Sequence, residues 1–243
     1  RGREQNFDRK PDELFDIPYD YKSMMHYGRD YFSKNGSYTL TTNDPFALFS
    51  IGRRTSYFRW SDAAFLNKGY SCHLTFAAKC PAKTCYNGGY IGQDCKCQCP
   101  ENTAGDLCET VTSKFFSDTP ACGGTMETEG EIMSNGYGSA STAEKCIFKI
   151  LAPKCKLPSI TFTEAKFKWN KCRANQLAVD ISDKYFGLVF CNDLDVPKNK
   201  AILSERREAV VYYFTRATGF PNLGFKATVK FVDDSTCKFH PTN

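Results

Sequence analysis

Histidine is scarce in this chain, and the few histidines are not spaced to share a metal ion. The 243 residues contain three of them, His26, His73 and His240. A helical zinc site needs two imidazoles at positions i and i+4, so that both lie on one face of the helix. No pair has that spacing, and the H-E-x-x-H pattern is absent. We interpret the three histidines as structural or solvent-exposed and expect this chain to bind no zinc.

Long apolar runs and blocks of like charge are also missing. No stretch is apolar for long enough to cross a bilayer, and residues 1–20 are polar, with no signal-peptide core. The net charge of +5 is spread along the chain rather than gathered into a block of lysine or arginine. The sequence therefore predicts no membrane span and no nucleic-acid partner.

Cysteine, by contrast, is abundant and grouped. Of the thirteen cysteines, one is Cys72, six lie in residues 80–108 and six lie in residues 122–237. Such a content is typical of an oxidising compartment and predicts a secreted, extracellular protein. Each group of six can pair within itself, which leaves Cys72 unpaired within this chain. Together with the missing signal peptide, the odd cysteine indicates a truncated or processed chain.

Residues 80–108 are too few to bury a sufficient apolar core, so disulfide bonds must hold them together. The sequence alone does not decide which of the six cysteines pair. A zinc site at Cys95-x-Cys97-x-Cys99 is the alternative. It is disfavoured because zinc-binding cysteines are usually separated by about two to four residues and an oxidising compartment favours disulfides. A polar linker rich in serine and threonine follows at residues 109–121.

From residue 122 onward the pattern changes to short, partly alternating strands divided by turn residues. The predicted strands are Cys146–Pro153, Ser159–Phe162, Gln176–Ile181, Leu188–Cys191, Ala209–Phe214 and Gly224–Val232. Many short strands at regular spacing are typical of a β-sandwich with two sheets. Nearer the start, Trp60–Tyr70 predicts a short helix with Ala64 and Phe65 facing inward, and Lys34–Ser37 predicts a tight turn.

One aromatic-rich stretch, Tyr19-Asp20-Tyr21-Lys22-Ser23-Met24-Met25-His26-Tyr27 followed by Gly28, has an unusually specific order. Methionine and tyrosine crowded together usually mean core packing. Here the stretch resembles the Met-turn of the astacin family of zinc metalloendopeptidases, whose pattern is Y-D-Y-x-S-x-M-H-Y-G. Further matches to that family are Glu4–Phe7, Ile51–Arg54, Asp62, Asn67, Tyr70 and Cys72. Residues 1–72 therefore look like the C-terminal half of an astacin-like metzincin catalytic domain, an α+β fold.

The resemblance implies roles for individual residues. Met25 would form the floor beneath the zinc ion of a complete enzyme, and the phenol of Tyr27 would be the fifth zinc ligand. Tyr27 would then leave the metal and donate a hydrogen bond to the developing oxyanion. Arg53 and Arg54 fall where the family builds a substrate subsite, and a guanidinium there would favour an acidic residue; a solvated basic loop is the alternative. The implied zinc belongs to the complete enzyme.

Two further resemblances concern the cysteine-rich parts. Residues 80–108, with Asn87-Gly88-Gly89 and Gly105-x-x-Cys108, resemble an EGF-like module. That resemblance implies the pairs Cys80–Cys95, Cys85–Cys97 and Cys99–Cys108. Residues 122–237, opening with Cys122-Gly123-Gly124, resemble a CUB domain. That resemblance implies the pairs Cys122–Cys146 and Cys172–Cys191. Cys155 and Cys237 are then left over and pair with each other.

The sequence also bears on calcium binding and on glycosylation. CUB domains often bind calcium through acidic residues, but Lys171, Asn175 and Arg216 stand where such residues are expected. Calcium requires several carboxylate oxygens, so we predict no calcium site. Asn35-Gly36-Ser37 is a glycosylation sequon, which predicts a glycan on Asn35; an unmodified turn is the alternative.

Two functional hypotheses follow. The first is a secreted zinc-dependent metalloendopeptidase of the astacin type that hydrolyses protein or peptide substrates, present here without its zinc helix and so inactive by itself. The second is a non-catalytic secreted protein that has lost the protease site and binds other extracellular proteins through its EGF-like and CUB modules.

Overall fold

The computed structural model describes residues 4–8, 15–52, 58–115, 120, 122–135, 137, 144–182, 187–216 and 223–237. The chain forms two compact units, one of residues 1–27 and 50–117 and another of residues 28–49 and 118–243. Residues 28–49, which the sequence analysis places in one lobe with residues 1–72, therefore pack with the second unit. No helix among the described residues is long and apolar enough to cross a membrane.

The first unit contains the short helices. A 3-10 helix spans Glu4–Phe7, α1 spans Trp60–Gly69, and α2 spans Cys72–Ala77. The predicted helix is confirmed, and Ala64 is fully buried as expected. The prediction that Phe65 faces inward is wrong, because its ring is 43% exposed and meets Phe15 edge-on at the surface, with 5.6 Å between ring centroids.

The rest of the first unit is a small module of two hairpins and three disulfides. β1 (Tyr90–Ile91) pairs with β2 (Cys97–Gln98), and β3 (Thr103–Ala104) pairs with β4 (Thr110–Val111), both antiparallel. The bonds are Cys80–Cys95, Cys85–Cys97 and Cys99–Cys108, the pairs that the EGF-like resemblance implies. With strands of two residues each, covalent cross-links carry much of the stability of this module.

The second unit is a β-sandwich. Its described strands are β5 (Cys122–Met126), β6 (Gly130–Met133), β7 (Glu144–Leu151), β8 (Lys156–Lys166), β9 (Asn175–Asp180), β10 (Leu188–Phe190), β11 (Ala201–Leu203), β12 (Glu208–Thr215) and β13 (Gly224–Asp233). One sheet has the order β10-β9-β12-β7-β5 and the other the order β11-β8-β13-β6. Neighbouring strands run antiparallel except β5 and β7, which are parallel. All six predicted strands are present, so the prediction of two β-sheets is confirmed.

The core lies between the two sheets and follows the alternation of the strands. In β12, Ala209, Val211 and Tyr213 point into this core, where the Tyr213 and Phe225 rings lie 5.5 Å apart. The other side of β12 is also buried, since Val210, Tyr212 and Phe214 are each less than a tenth exposed. A strand that is buried on both faces needs a second covering layer.

Residues 28–49 provide that second layer. A 3-10 helix spans Pro45–Ser50, and its Leu48 and Phe49 side chains are buried. The ring of Phe49 lies 6.3 Å from the ring of Phe214 in β12. The guanidinium of Arg29 lies over the rings of both, at 5.3 and 5.2 Å. The outer face of the five-stranded sheet is thus packed against a segment distant in sequence.

Three disulfides cross-link the second unit: Cys122–Cys146, Cys155–Cys237 and Cys172–Cys191. They are the pairs expected from the sequence. Cys122 and Cys146 face each other in the parallel β5–β7 pair. All thirteen cysteines lie within the described ranges, and of these Cys72 is the one outside a disulfide.

Candidate functional site

The stretch Tyr19–Tyr27, hereafter the Met-turn, is tied to α1 through the buried carboxylate of Asp20. Its Oδ2 atom accepts hydrogen bonds from Arg59 Nε at 2.6 Å and from Ser61 Oγ at 2.5 Å. The other oxygen accepts the backbone N–H of Lys22 at 2.8 Å. The guanidinium bond is charge-assisted and nearly dry, which makes it stronger than an exposed ion pair. Asp20 therefore fixes the entry of the Met-turn.

A second buried carboxylate, Asp62, fixes the middle of the Met-turn. Ser23 Oγ donates to Asp62 Oδ1 at 2.5 Å, and the backbone N–H of Met24 donates to Asp62 Oδ2 at 3.4 Å. The same Oδ2 atom accepts the backbone N–H of Arg59 at 3.1 Å, which caps the start of α1. The aspartate and serine of the Y-D-Y-x-S pattern are thus positioning residues, a role that sequence reasoning missed. Their signal was two small polar residues within an aromatic run.

The imidazole of His26 is held by two hydrogen bonds. Nδ1 lies 2.7 Å from the Tyr27 carbonyl, which can only accept, so Nδ1 carries a proton. Nε2 lies 2.8 Å from the Tyr19 hydroxyl and accepts from it in the neutral tautomer. Burial, and next the neighbouring Tyr21, raise the pKa of Tyr19, so its hydroxyl keeps its proton at neutral pH. These two hydrogen bonds fix the orientation of the His26 ring within the Met-turn and connect its two ends.

The two residues with implied zinc roles lie at the surface. The side chain of Met25 is 77% exposed and that of Tyr27 is 59% exposed. His73 Nδ1 lies 3.4 Å from the Asn67 carbonyl, while His240, Arg53 and Arg54 lie outside the described residues. Within the described ranges, no three histidine, cysteine or acidic side chains are grouped to hold a metal ion. The described residues thus do not fit the ligand set of a histidine-bound zinc.

A groove of about 720 Å³ runs between the Met-turn and α1. Its lining includes the exposed apolar side chains Met25, Phe58, Phe65 and Leu66. Both carboxylates in its wall, Asp20 and Asp62, already accept several hydrogen bonds. The two carboxylates are therefore engaged in holding the structure, and the rest of the groove offers mainly apolar contact, with His26 also in its lining.

Comparison with known proteins decides the relationship of this chain. The model of the astacin peptidase family matches residues 1–71. Protein SpAN of Strongylocentrotus purpuratus is 32% identical over 253 residues, covering 99% of this chain and 39% of its own. Blastula protease 10 of Paracentrotus lividus is 30% identical over 230 residues, covering 93% and 37%. Zinc metalloproteinase nas-34 of Caenorhabditis elegans is 31% identical over 205 residues, covering 82% and 31%.

The chain is related to the astacin family. Its astacin-like part holds the Met-turn and α1, and the similarity to these proteases continues through the cysteine-rich residues that follow. The chain spans less than two fifths of the length of the relatives named above.

Solved structures resemble the chain only weakly. The CUB1-EGF-CUB2 domains of rat MASP-1 are 19% identical and cover 46% of this chain and 43% of their own, with a TM-score of 0.39. The extracellular region of zebrafish Gpr126 is 18% identical and covers 46% and 15%, with a TM-score of 0.41. These scores are too low to establish a common fold.

Replacing Asp62 by alanine should lower the stability of the first unit by about 1–2 kcal/mol, because α1 loses its cap and the Met-turn loses its Ser23 bond. The measurement is chemical unfolding followed by tryptophan fluorescence in a Trp169→Phe background. Trp60 is then the one remaining tryptophan, so the signal follows the unfolding of the first unit. The exposed Asp106→Ala is the matched control and should change nothing. Equal stability of the two variants would show that Asp62 does not hold the Met-turn.

Proposed function

We propose that this chain is part of a secreted astacin-type zinc metalloendopeptidase and that the chain alone does not hydrolyse peptides. The observation that supports this is a Met-turn held on α1 by Asp20 and Asp62, in a chain that is similar to proteases yet lacks the H-E-x-x-H helix. Zinc is expected in the complete enzyme. The substrates are proteins or peptides.

Two residues on the astacin-like part carry proposed catalytic roles. Tyr27 would supply a phenol ligand to the zinc of the complete enzyme, and its side chain is 59% exposed in this chain. Met25, which is 77% exposed in this chain, would form the floor of the zinc site in the complete enzyme. Arg53 and Arg54 remain predicted subsite residues for an acidic side chain.

The accessory regions are proposed to position the protease or recognise extracellular proteins. We assign residues 80–108 to an EGF-like module and residues 122–237 to a CUB domain, joined by the linker at 109–121. Six intramolecular disulfides support an extracellular site of action. Asn35 is exposed at a bend in which Gly36 has a φ of 85°, so the proposed glycan has room.

The first test measures zinc and peptidase activity of the purified full chain made in a secretory host. We expect far less than one zinc per chain and no cleavage of unfolded protein substrates, because the three-histidine ligand set is missing. Tyr27→Phe is the matched variant and should leave the zinc content unchanged. One tightly held zinc per chain that is lost in His26→Ala would overturn the proposal.

Calcium should leave the melting temperature of the second unit unchanged, since only a ligand that binds the native state raises stability. The side chain of Asn175 is already engaged in two hydrogen bonds and is not free to bind calcium. Its Nδ2 donates to the Trp169 carbonyl and its Oδ1 accepts from Thr215 Oγ1, both at 2.8 Å. The Arg216 guanidinium lies 5.7 Å from the Phe214 ring and adds positive charge nearby. A rise of several degrees that depends on calcium concentration would contradict this prediction.

A non-catalytic binding protein is the second candidate. Two observations favour it. The disulfides of residues 80–108 and 122–237 form within this chain, and the catalytic histidines of the protease family are missing from its sequence. Sequencing the transcript upstream of Arg1 separates the two. An H-E-x-x-H segment there supports the protease, whereas a signal peptide joined directly to residue 1 supports the binding protein.

A further inference from the structure

A cavity of about 340 Å³ lies on the outer face of the five-stranded sheet, within the second unit. Its floor is formed by the outward-facing residues of β9 and β12, and its wall by the segment 38–48. A cavity of this size holds a small ligand rather than a few ordered waters. Its polar lining includes Gln176, Asp180, Arg206 and Glu208.

Gln176 is the unusual residue of this floor. Its side chain is 1% exposed, and neither Oε1 nor Nε2 has a hydrogen-bond partner among the described residues. A buried amide without partners costs stability, and most buried polar groups in native proteins are satisfied by protein, water or another molecule. Because Gln176 lines the cavity, a molecule in the cavity that both donates and accepts a hydrogen bond would satisfy it.

The charges around the cavity are balanced. Asp180 Oδ2 lies 3.4 Å from Arg206 Nη2, and Glu208 Oε2 lies 3.2 Å from Lys149 Nζ. Each carboxylate therefore has a cation beside it. A charged ligand would compete with these pairs, whereas a neutral ligand can accept or donate hydrogen bonds to them. The cavity is thus suited to a neutral, polar molecule.

The rest of the lining joins hydroxyl groups with an apolar wall. Thr41, Thr42 and Ser182 contribute hydroxyls, and Leu48 and Tyr212 contribute apolar surface. A bound peptide would pair with an exposed sheet edge, but β9 is an interior strand, hydrogen-bonded to both β10 and β12. Around Gln176 the ligand therefore meets side chains rather than a free strand edge, which favours a compact ligand that carries several hydroxyls.

We propose that this cavity binds a neutral sugar with an acetamido group, an N-acetylhexosamine. The acetamide carbonyl accepts a hydrogen bond from Gln176 Nε2, and a neighbouring ring hydroxyl donates one to Gln176 Oε1, so both polar atoms of Gln176 are satisfied. Its methyl group packs on Leu48 and Tyr212, while the ring hydroxyls reach the threonine, serine and carboxylate groups. The site is separate from the Met-turn and does not depend on peptidase activity.

The test is a titration of the ¹⁵N-labelled full chain with N-acetylglucosamine and N-acetylgalactosamine, followed by nuclear magnetic resonance. The side-chain NH₂ signal of Gln176, identified by its loss in Gln176→Leu, should shift with at least one of the two sugars. Glucose, which has no acetamide, should bind at least about tenfold more weakly. Gln176→Leu should weaken binding by a similar factor while the chain melts at the same or a higher temperature, because two unsatisfied polar atoms are removed.

Two further variants complete the test. Val189→Trp enlarges a half-exposed residue of the lining and should block binding without changing the interior core. Gln93→Leu changes an exposed glutamine of the first unit and should bind as the unchanged chain does. The proposal is overturned if neither sugar shifts the Gln176 signal or if Gln176→Leu or Val189→Trp binds equally well. It is also overturned if the blocked peptide N-acetylglycine methylamide binds more tightly than either sugar.

Discussion

Replacing Phe49 by alanine should lower the free energy of unfolding of the second unit by about 3–5 kcal/mol. Phe49 is 7% exposed, although it lies in a segment far in sequence from the sandwich strands. Its ring packs on Phe214 and lies under the Arg29 guanidinium and the Lys145 ammonium, at 5.3 and 5.7 Å. The truncation removes these contacts and leaves a cavity on the outer face of the sheet.

Chemical unfolding in a Trp60→Phe background measures this effect, because the fluorescence then comes from Trp169 in the second unit. Phe32→Ala is the matched control from the same segment; that ring is 87% exposed, so its loss should change stability by less than about 0.5 kcal/mol. If Phe49→Ala is as stable as Phe32→Ala, residues 28–49 do not form a layer of the sandwich.

Replacing Gly123 by alanine should destabilise the second unit by about 3 kcal/mol or more. Gly123 has a φ of 102°, a conformation that side chains rarely adopt. A Cβ atom there would lie 2.0 Å from the backbone carbonyl oxygen of Ile147, its partner in the parallel β5–β7 pair. Relief of that overlap requires β5 to separate from β7.

The adjacent Gly124 provides a close control. Its φ is 136°, so an alanine is also strained, but its Cβ would meet no atom within 4 Å. Gly124→Ala should therefore cost only the backbone strain, about 1–2 kcal/mol. Thermal unfolding of both variants measures the difference. If both variants lose the same stability, the close approach of β5 to β7 is not the reason why residue 123 is a glycine.

Much of the candidate site was accessible from local pattern. The order Y-D-Y-x-S-x-M-H-Y-G pointed to residues 19–28 as the candidate site, because a turn and its anchors require particular residues at fixed positions. The pattern did not reveal why Asp20 and Ser23 belong to it. Their partners Arg59, Ser61 and Asp62 lie about forty residues later, and hydrogen bonds over that separation depend on how the chain folds back.

The sequence by itself determined the cysteine groups and six of the nine described strands of the second unit, because spacing and alternation are local properties of the chain. The run Ala209–Phe214 is predicted as a strand, but its burial on both faces is not predicted. Only the tertiary structure decided what covers the second face. Any apolar segment could satisfy that burial, and the choice of residues 28–49 rests on contacts such as that of the Phe49 ring with the Phe214 ring. Burial is non-directional, so a sequence does not predict which segment covers a face.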